Sequence, residues 1–116
     1  MRISEVRDIL QAKILCGEHM LDLEVKSACG ADLMSDVLAF VKDQSVLLTG
    51  LINPQVIRTA EMMDMRCIVF VRGKFPDAQI VEMAKEKDIV LMHTKLRMYT
   101  ACGRLYSAGL IGMECV

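Results

Sequence analysis

The chain has 116 residues, the length of one ordinary domain, so we expect a single domain over residues 1–116. Hydrophobic residues make up 53% of it and charged residues 25%, with a formal net charge of -1. This balance excludes an intrinsically disordered chain. It also provides no basic field that would draw the protein to nucleic acid or to an acidic membrane. Every apolar run is far shorter than the about 20 residues of a membrane-spanning helix, and the amino terminus mixes both charge signs, so we expect a cytoplasmic protein.

Cysteine and methionine usage points to packing and not to metal chemistry. The five cysteines form no C-x-x-C pair of the kind that zinc sites use, so we expect free, buried thiols and no metal or other cofactor. Ten methionines and a high apolar share in so short a chain favour burial between subunits, which predicts a homodimer. A monomer with an unusually apolar core is the alternative.

The first half of the chain predicts two helices and two strands. Ser4 has the residue type of an N-cap and precedes a helix over residues 5–11, with Val6, Ile9 and Leu10 on one face. Residues 13–16 form a strand ended by Gly17, and residues 23–29 alternate like a strand with one wet face. Residues 31–41 then predict a turn and a short helix capped by Ser35.

The second half alternates strand and helix three times. Residues 46–49, 67–71 and 89–92 are continuous apolar strands, which implies burial on both faces of a parallel sheet. Helices follow over residues 53–64, capped by Asn53 with Pro54 behind it, over 76–87, and over 96–108. The last is expected to bury Met98, Cys102, Leu105 and Tyr106. The fold class is therefore α/β, a three-layer α/β/α sandwich with a mostly parallel, mixed sheet. The amino-terminal strands extend this sheet, with an antiparallel arrangement as one alternative.

Common catalytic motifs are absent from the sequence. Gly73 and Lys74 are followed by Phe75, which leaves no phosphate-binding P-loop, and neither a G-x-G-x-x-G nor a G-x-S-x-G motif occurs. His93 has no orienting partner in the pattern and is expected in a loop, while Asp32 is expected to order a turn and Asp36 to lie in the first turn of a helix. We therefore predict that the protein is not an enzyme.

A ligand-binding edge is nevertheless predictable, because ligands of open parallel sheets bind beyond the carboxyl ends of the strands. Basic loop residues beside helix N-termini favour a nucleotide or phosphate there, although charged loops also serve solubility alone. The residues that follow the three strands are Thr49, Gly50 and Asn53, then Arg72, Gly73 and Lys74, and then Thr94, Lys95 and Arg97.

The whole chain resembles the DRTGG domain family, which is similar to the amino-terminal, non-catalytic domain of HPr kinase/phosphorylase. The resemblance rests on residues 31–34, 46–50, 67–73 and 94–105. Where the family tends to show Gly-Asp-Arg and Thr-Gly-Gly, this chain has Gly50-Leu51-Ile52 and Arg72-Gly73-Lys74, so only Gly50 and Gly73 correspond. The resemblance implies an accessory, often dimeric module of the kind attached to kinases, phosphotransacetylases and CBS-containing pyrophosphatases.

Three functions follow from these observations. The first is a stand-alone, non-catalytic regulatory or assembly module, homodimeric, that binds a small anionic ligand. The second is an interaction subunit that docks on a larger enzyme without a ligand, with the tail over residues 110–116 as a candidate contact. The third and weakest is a small phosphotransfer or hydrolytic enzyme using Asp32, Lys74 or His93, for which no nucleophile–base–orienter set is visible.

Overall fold

Five strands form one sheet in the computed structural model, which describes residues 1–40 and 45–112. Their order across the sheet is β1-β5-β4-β3-β2. Strands β2 to β5 are parallel, and β1 pairs antiparallel with β5 at one edge. The bounds are β1 (Lys13–Cys16), β2 (Ser27–Gly30), β3 (Ser45–Thr49), β4 (Cys67–Phe70) and β5 (Val90–His93).

Helices cover both faces of this sheet. One face carries α1 and α5, whose Val6 and Leu105 pack in a core with the strand residues Val69 and Met92. The other face carries α2, α3 and α4, with Ile57 and Ile80 among its buried residues. This confirms the predicted three-layer sandwich with a mostly parallel sheet. The helices are α1 (Ile3–Leu10), α2 (Met34–Phe40), α3 (Pro54–Met62), α4 (Ala78–Glu86) and α5 (Met98–Ser107), with a single 3-10 turn at Glu18–Met20.

The three central strands are buried along their whole length, which confirms the interpretation of their continuous apolar runs. Successive side chains of a strand point to opposite faces, so Leu47 and Ile68 enter the α2–α4 core while Val46 and Val69 enter the α1–α5 core. Only a strand that is apolar at every position can satisfy both layers at once. A continuous apolar run, without alternation of apolar and polar residues, was therefore enough to predict these strands.

The start of α3 was predicted correctly, α4 begins two residues later than predicted, and a side chain caps each of these helices. The Asn53 carboxamide accepts a hydrogen bond from Gln55 N at 2.8 Å, and the Asp77 carboxylate accepts one from Ile80 N at 3.0 Å. Ser4 and Ser35 as caps were wrong, because both lie inside helices that start earlier. At α1 the Glu5 carboxylate instead accepts from the Arg2 backbone N–H at 2.9 Å, which satisfies a free donor at the helix start.

The amino-terminal strands occupy opposite edges of the sheet, and only one is antiparallel. Strand β1 has the predicted bounds, ends at Gly17 (φ 91°) and pairs with β5. Strand β2 begins four residues later than expected, at Ser27, and lies parallel to β3. Residues 23–26 instead run beside α1, where Val25 N donates to Met1 O and Ile3 N donates to Leu23 O.

Three further residue placements differ from the sequence-based expectations. Tyr106 is 66% exposed and lies outside the inward stripe of α5. His93 is the last residue of β5 and is only 8% exposed, so it is not a loop residue. Leu110 is buried and Ile111 O accepts from Ala28 N, so the start of the tail packs against β2. Residues 41 and 113–116, part of the predicted second helix and of the tail, lie outside the described residues.

Candidate functional site

The carboxyl ends of four parallel strands meet along one side of the sheet, which we call the carboxyl edge. It comprises the segments that follow Gly30, Thr49, Phe70 and His93. Ligands of open parallel sheets bind at this side, where loops diverge and helix N-termini expose unpaired N–H groups. Polar side chains from three of these segments contact one another.

Asp32 is the centre of that polar group. Its Oδ1 accepts hydrogen bonds from Gly50 N at 2.7 Å and from Thr49 Oγ1 at 3.1 Å, and its Oδ2 lies 3.9 Å from the Arg72 guanidinium. The carboxylate therefore joins the ends of β2, β3 and β4. The side chain remains 55% exposed, so its outer oxygen is open to solvent and to a ligand.

The loop after β4 brings Arg72 to this position. Arg72 (φ 62°) and Gly73 (φ 69°) are both left-handed, and Lys74 N donates to Val71 O, which makes a tight turn. Arg72 N also donates to Leu96 O at 2.7 Å, which holds this loop against the segment after β5. A left-handed conformation at a non-glycine residue costs free energy that the surrounding contacts must offset. The hydrogen bonds of this loop therefore hold Arg72 in its conformation.

Gly50 allows the guanidinium of Arg72 to lie directly over the end of β3. A Cβ at Gly50 would collide with the guanidinium nitrogens and carbon of Arg72. The absence of a side chain at Gly50 thus leaves the space that the Arg72 guanidinium occupies beside Asp32. We call the surface made by Asp32, Thr49, Gly50 and Arg72 the acid–base cleft.

The structure brings together three of the predicted binding residues, namely Thr49, Gly50 and Arg72. Among the others, the hydroxyl of Thr94 is committed to the fold, because it donates to Leu10 O at 2.8 Å and accepts from Leu96 N. The Asn53 side chain caps α3. Gly73 contributes a turn and a backbone hydrogen bond to Thr94 O. Lys74, Lys95 and Arg97 are exposed and form no salt bridge with any acidic residue in the described part of the chain.

Asp32 was not predicted as a ligand-binding residue, since the sequence suggested a turn or, in the weakest of the three functions, a catalytic role. The signal lay in its position two residues after Gly30, where a parallel β2 would place it at the carboxyl edge. Asp36, by contrast, lies in the first turn of α2 as predicted. Tyr99 and Tyr106 are 92% and 66% exposed, so neither is a core residue.

His93 also lies at the carboxyl edge, as the last residue of β5, where β5 pairs with β1. Its ring lies against that of Phe75, with centroids 4.0 Å apart and an angle of 48° between the ring planes. Burial, together with the positive charges of Lys13 and Lys95, lowers the pKa of His93 below its ordinary value. The imidazole is therefore neutral at physiological pH.

The four cysteines in the described part of the chain are free thiols whose surroundings disfavour the thiolate. Cys67 is completely buried, which raises its pKa to about 12, and burial also raises the pKa of Cys16, Cys29 and Cys102. A thiol that stays protonated is a poor nucleophile. Within residues 1–40 and 45–112, no group of three His, Cys, Asp or Glu side chains is placed to hold a metal ion. No helix in this part of the chain is long and apolar enough to cross a bilayer.

Comparison with known proteins gives one family and one informative structure. The family model of the DRTGG domain matches residues 5–108. A crystal structure of the CBS and DRTGG domains of the regulatory region of a Clostridium perfringens pyrophosphatase, complexed with its activator diadenosine tetraphosphate, superposes with a TM-score of 0.69 at 14% identity. The alignment covers 90% of this chain and 45% of that one, so the likeness concerns the fold of less than half of that protein. No curated protein matches the chain significantly.

Proposed function

Because the chain belongs to the DRTGG domain family, we propose that it is a non-catalytic regulatory module that binds a nucleotide at the carboxyl edge of its sheet. The acid–base cleft is the proposed binding surface, with Lys74 beside it. Binding there would alter the loops after β2, β3 and β4 together, since Asp32 contacts all three. A regulatory module needs such a link between ligand and surface.

The observation that carries the proposal is the pairing of an exposed carboxylate with an exposed guanidinium. Asp32 and Arg72 lie 3.9 Å apart, with side chains 55% and 48% exposed. A nucleotide presents both matching groups, because its ribose hydroxyls donate to a carboxylate and its phosphate accepts from a guanidinium. Inorganic phosphate matches Arg72 but brings no ribose hydroxyl group that would donate to Asp32. The cleft therefore favours a nucleotide over a bare phosphate.

The crystal structure of the pyrophosphatase regulatory region also supports this proposal. Its regulatory region, which contains CBS and DRTGG domains, was crystallised with a dinucleotide activator. A nucleotide-responsive assembly is thus one context in which this fold is used.

A thermal-shift screen with adenine and guanine nucleotides, phosphate and phosphosugars tests the proposal. A ligand at 100 times its Kd adds about 2.7 kcal/mol to the free energy of unfolding, and each kcal/mol moves the midpoint by roughly 4–8 °C for a domain of about this size. We expect a nucleotide to raise the midpoint more than phosphate does. Arg72→Ala should abolish that shift.

Arg66→Ala is the matched control, because Arg66 is also exposed and also close to an aspartate, Asp64, but precedes β4 at the opposite end of the strand. Its nucleotide shift should equal that of the wild type. If no nucleotide shifts the midpoint, the binding proposal is wrong, and an interaction subunit that docks on a larger enzyme without a ligand takes its place.

We also propose that the module is a homodimer formed through the outer face of α5. An open groove of about 910 Å³ runs along this helix and is lined mainly by apolar atoms, with Ile9 of α1 beside it. Tyr99, Gly103 and Tyr106 follow one another along the helix at a spacing of four and three, which places them on one side. Gly103 has no neighbour that an added Cβ would meet.

A glycine in the middle of a helix costs about 1 kcal/mol relative to alanine, so its presence needs a packing reason. Close approach of the same helix from a second copy supplies one, in a two-fold contact that also covers both tyrosines. Light scattering should give twice the chain mass at micromolar concentration, and Tyr99→Ala with Tyr106→Ala should halve it. Met62→Ala, at an exposed apolar residue of α3 in the other helix layer, should leave the dimer intact. A monomeric wild type would rule the dimer out.

A further inference from the structure

A second cavity lies at the carboxyl edge, outside the acid–base cleft. It encloses about 270 Å³ where the end of α1, the start of β1 and the end of β5 meet. Lys13, His93 and Lys95 line it, together with Gln11. None of these residues touches Asp32 or Arg72 in the hydrogen bonds and ion pairs of the described chain.

His93 is the unusual member of this group. It is 8% exposed, and neither of its ring nitrogens has a hydrogen-bond partner within the described parts of the chain. Leaving a buried polar group without a partner is unfavourable, and most such groups in folded proteins are paired. The fold therefore keeps an imidazole with two unused hydrogen-bonding atoms at the wall of a cavity.

Two lysines give the same cavity a positive potential. Lys13 is directly opposite His93 in the β1–β5 register, so the two side chains leave the same face of the sheet. Lys95 follows two residues after His93, and both lysines influence its titration. Within residues 1–40 and 45–112, neither lysine forms a salt bridge with an acidic side chain.

We propose that this cavity binds the phosphate group of a small phosphomonoester, held between Lys13 and Lys95 with the His93 N–H donating to a phosphate oxygen. A dianion matches two ammonium groups and a neutral imidazole better than a monoanionic carboxylate does. The volume lies just below the usual range of about 300–1,000 Å³ for small-molecule sites. It suits a phosphate with a few carbon atoms and is too small for a nucleotide.

We expect Phe75 to limit access to the imidazole, because its ring lies against that of His93. The Phe75 ring is 62% exposed, so it can move into solvent without opening the core. Phe75→Ala should therefore speed association of the phosphomonoester. It should leave the lysine dependence of binding unchanged.

Titration of the two histidines by NMR tests the proposal, with inorganic phosphate and glycerol phosphate as probes and chloride at equal ionic strength as the baseline. A bound dianion stabilises the protonated imidazole, so the pKa of His93 should rise saturably with either probe. His19 is exposed and serves as an internal control whose signals should not follow the probe. An unchanged His93 pKa would overturn the proposal, and binding of free phosphate alone would overturn the phosphomonoester assignment.

Charge variants separate this cavity from the acid–base cleft. Lys13→Ala and Lys95→Ala should each weaken the probe's effect at least tenfold, whereas Lys26→Ala, at an exposed lysine just before β2, should not. Lys13→Ala should also leave any nucleotide shift intact, so the two proposals can fail independently. If Arg72→Ala instead removes the phosphate response of His93, the cavity is not a separate site and the inference is wrong.

Discussion

Asp32 joins three strand ends through one carboxylate, so its contribution to stability is open to measurement. Replacing it with alanine leaves Gly50 N and the Thr49 hydroxyl without their acceptor, and a lost hydrogen bond to a charged group costs about 1–3 kcal/mol. We expect Asp32→Ala to lower the free energy of unfolding in urea by that amount. Asp32→Asn keeps an acceptor and should cost less. Asp36→Ala, an exposed change in the nearby helix α2, should be close to neutral.

A substitution at Gly50 should move Arg72 within the acid–base cleft with little change in the free energy of unfolding. In Gly50→Ala the new methyl group displaces only the end of a flexible arginine side chain, so the fold should lose little stability. The guanidinium can no longer rest beside Asp32, and nucleotide binding should fall toward the level of Arg72→Ala. Calorimetric titration beside a urea melt measures both quantities. Binding at the wild-type level in Gly50→Ala would show that Arg72 need not lie over this residue.

At this scale the sequence predicted residues whose role is local, and missed one whose partners are remote. Asn53 and Pro54 identify a helix start from two neighbouring positions. The partners of Asp32 are 17 and 18 residues away along the chain, so its role depends on which strand lies beside β2. His93 was placed in a loop because a polar residue at the end of an apolar run normally ends the strand.

Helix α3 shows what a local cap contributes. Asn53→Ala removes the acceptor for Gln55 N, and loss of an N-cap costs about 1 kcal/mol. We expect that loss in the free energy of unfolding, with no loss of nucleotide binding, because the Asn53 carboxamide is occupied in the cap. Gln55→Ala, an exposed change two residues further along the chain, is the control and should leave the free energy of unfolding unchanged. A binding defect in a stably folded Asn53→Ala protein would return this residue to the ligand site.

The elements were predictable to the extent that their burial is uniform. Strands β3, β4 and β5 have one environment along their length, and their limits were predicted within a residue at most ends. Residues 23–29 change environment midway, since Val25 packs with α1 and Ser27 begins β2. The alternation of apolar and polar residues spans two different environments, so the start of the strand was predicted four residues too early.

The stability of the whole molecule should depend on pH through His93. Its pKa in the unfolded chain is close to the ordinary 6.5, and in the folded protein it is lower. Above pH 6.5 both states are neutral and nothing is lost. As the pH falls below 6.5, the His93 side chain becomes protonated in the unfolded chain but stays neutral in the folded protein. The free energy of unfolding therefore decreases, by at most about 1.4 kcal/mol per pH unit.

Thermal melts of the wild type and of His93→Gln in chloride buffers measure this contribution as the difference between the two pH profiles. The variant should have the shallower loss on the acid side. His19→Gln, at the exposed histidine, should follow the wild type. Parallel profiles for the wild type and His93→Gln would show that burial does not hold the imidazole neutral.

Fold class was predictable for the molecule as a whole because three strand–helix repeats leave few arrangements open. The position of β1 was not, since four residues carry no information about which edge they join. Pairing with β5 is set by the core between α1 and α5, a contact between the two ends of the chain. The dimer and the ligand sites remain predictions, because they depend on molecules outside the chain.

The antiparallel pairing of β1 has a consequence for how the protein is made. Strand β1 and helix α1 are synthesised before β2, β3 and β4, yet their partners β5 and α5 are synthesised after these strands. Until then Val6 and Leu10 have no complete core to enter, and the other edge of the sheet can assemble around β2, β3 and β4 before them. Closing the sheet thus requires contacts that span most of the sequence, which slows folding. The amino-terminal segment is accordingly the part most exposed to aggregation or to a chaperone during synthesis.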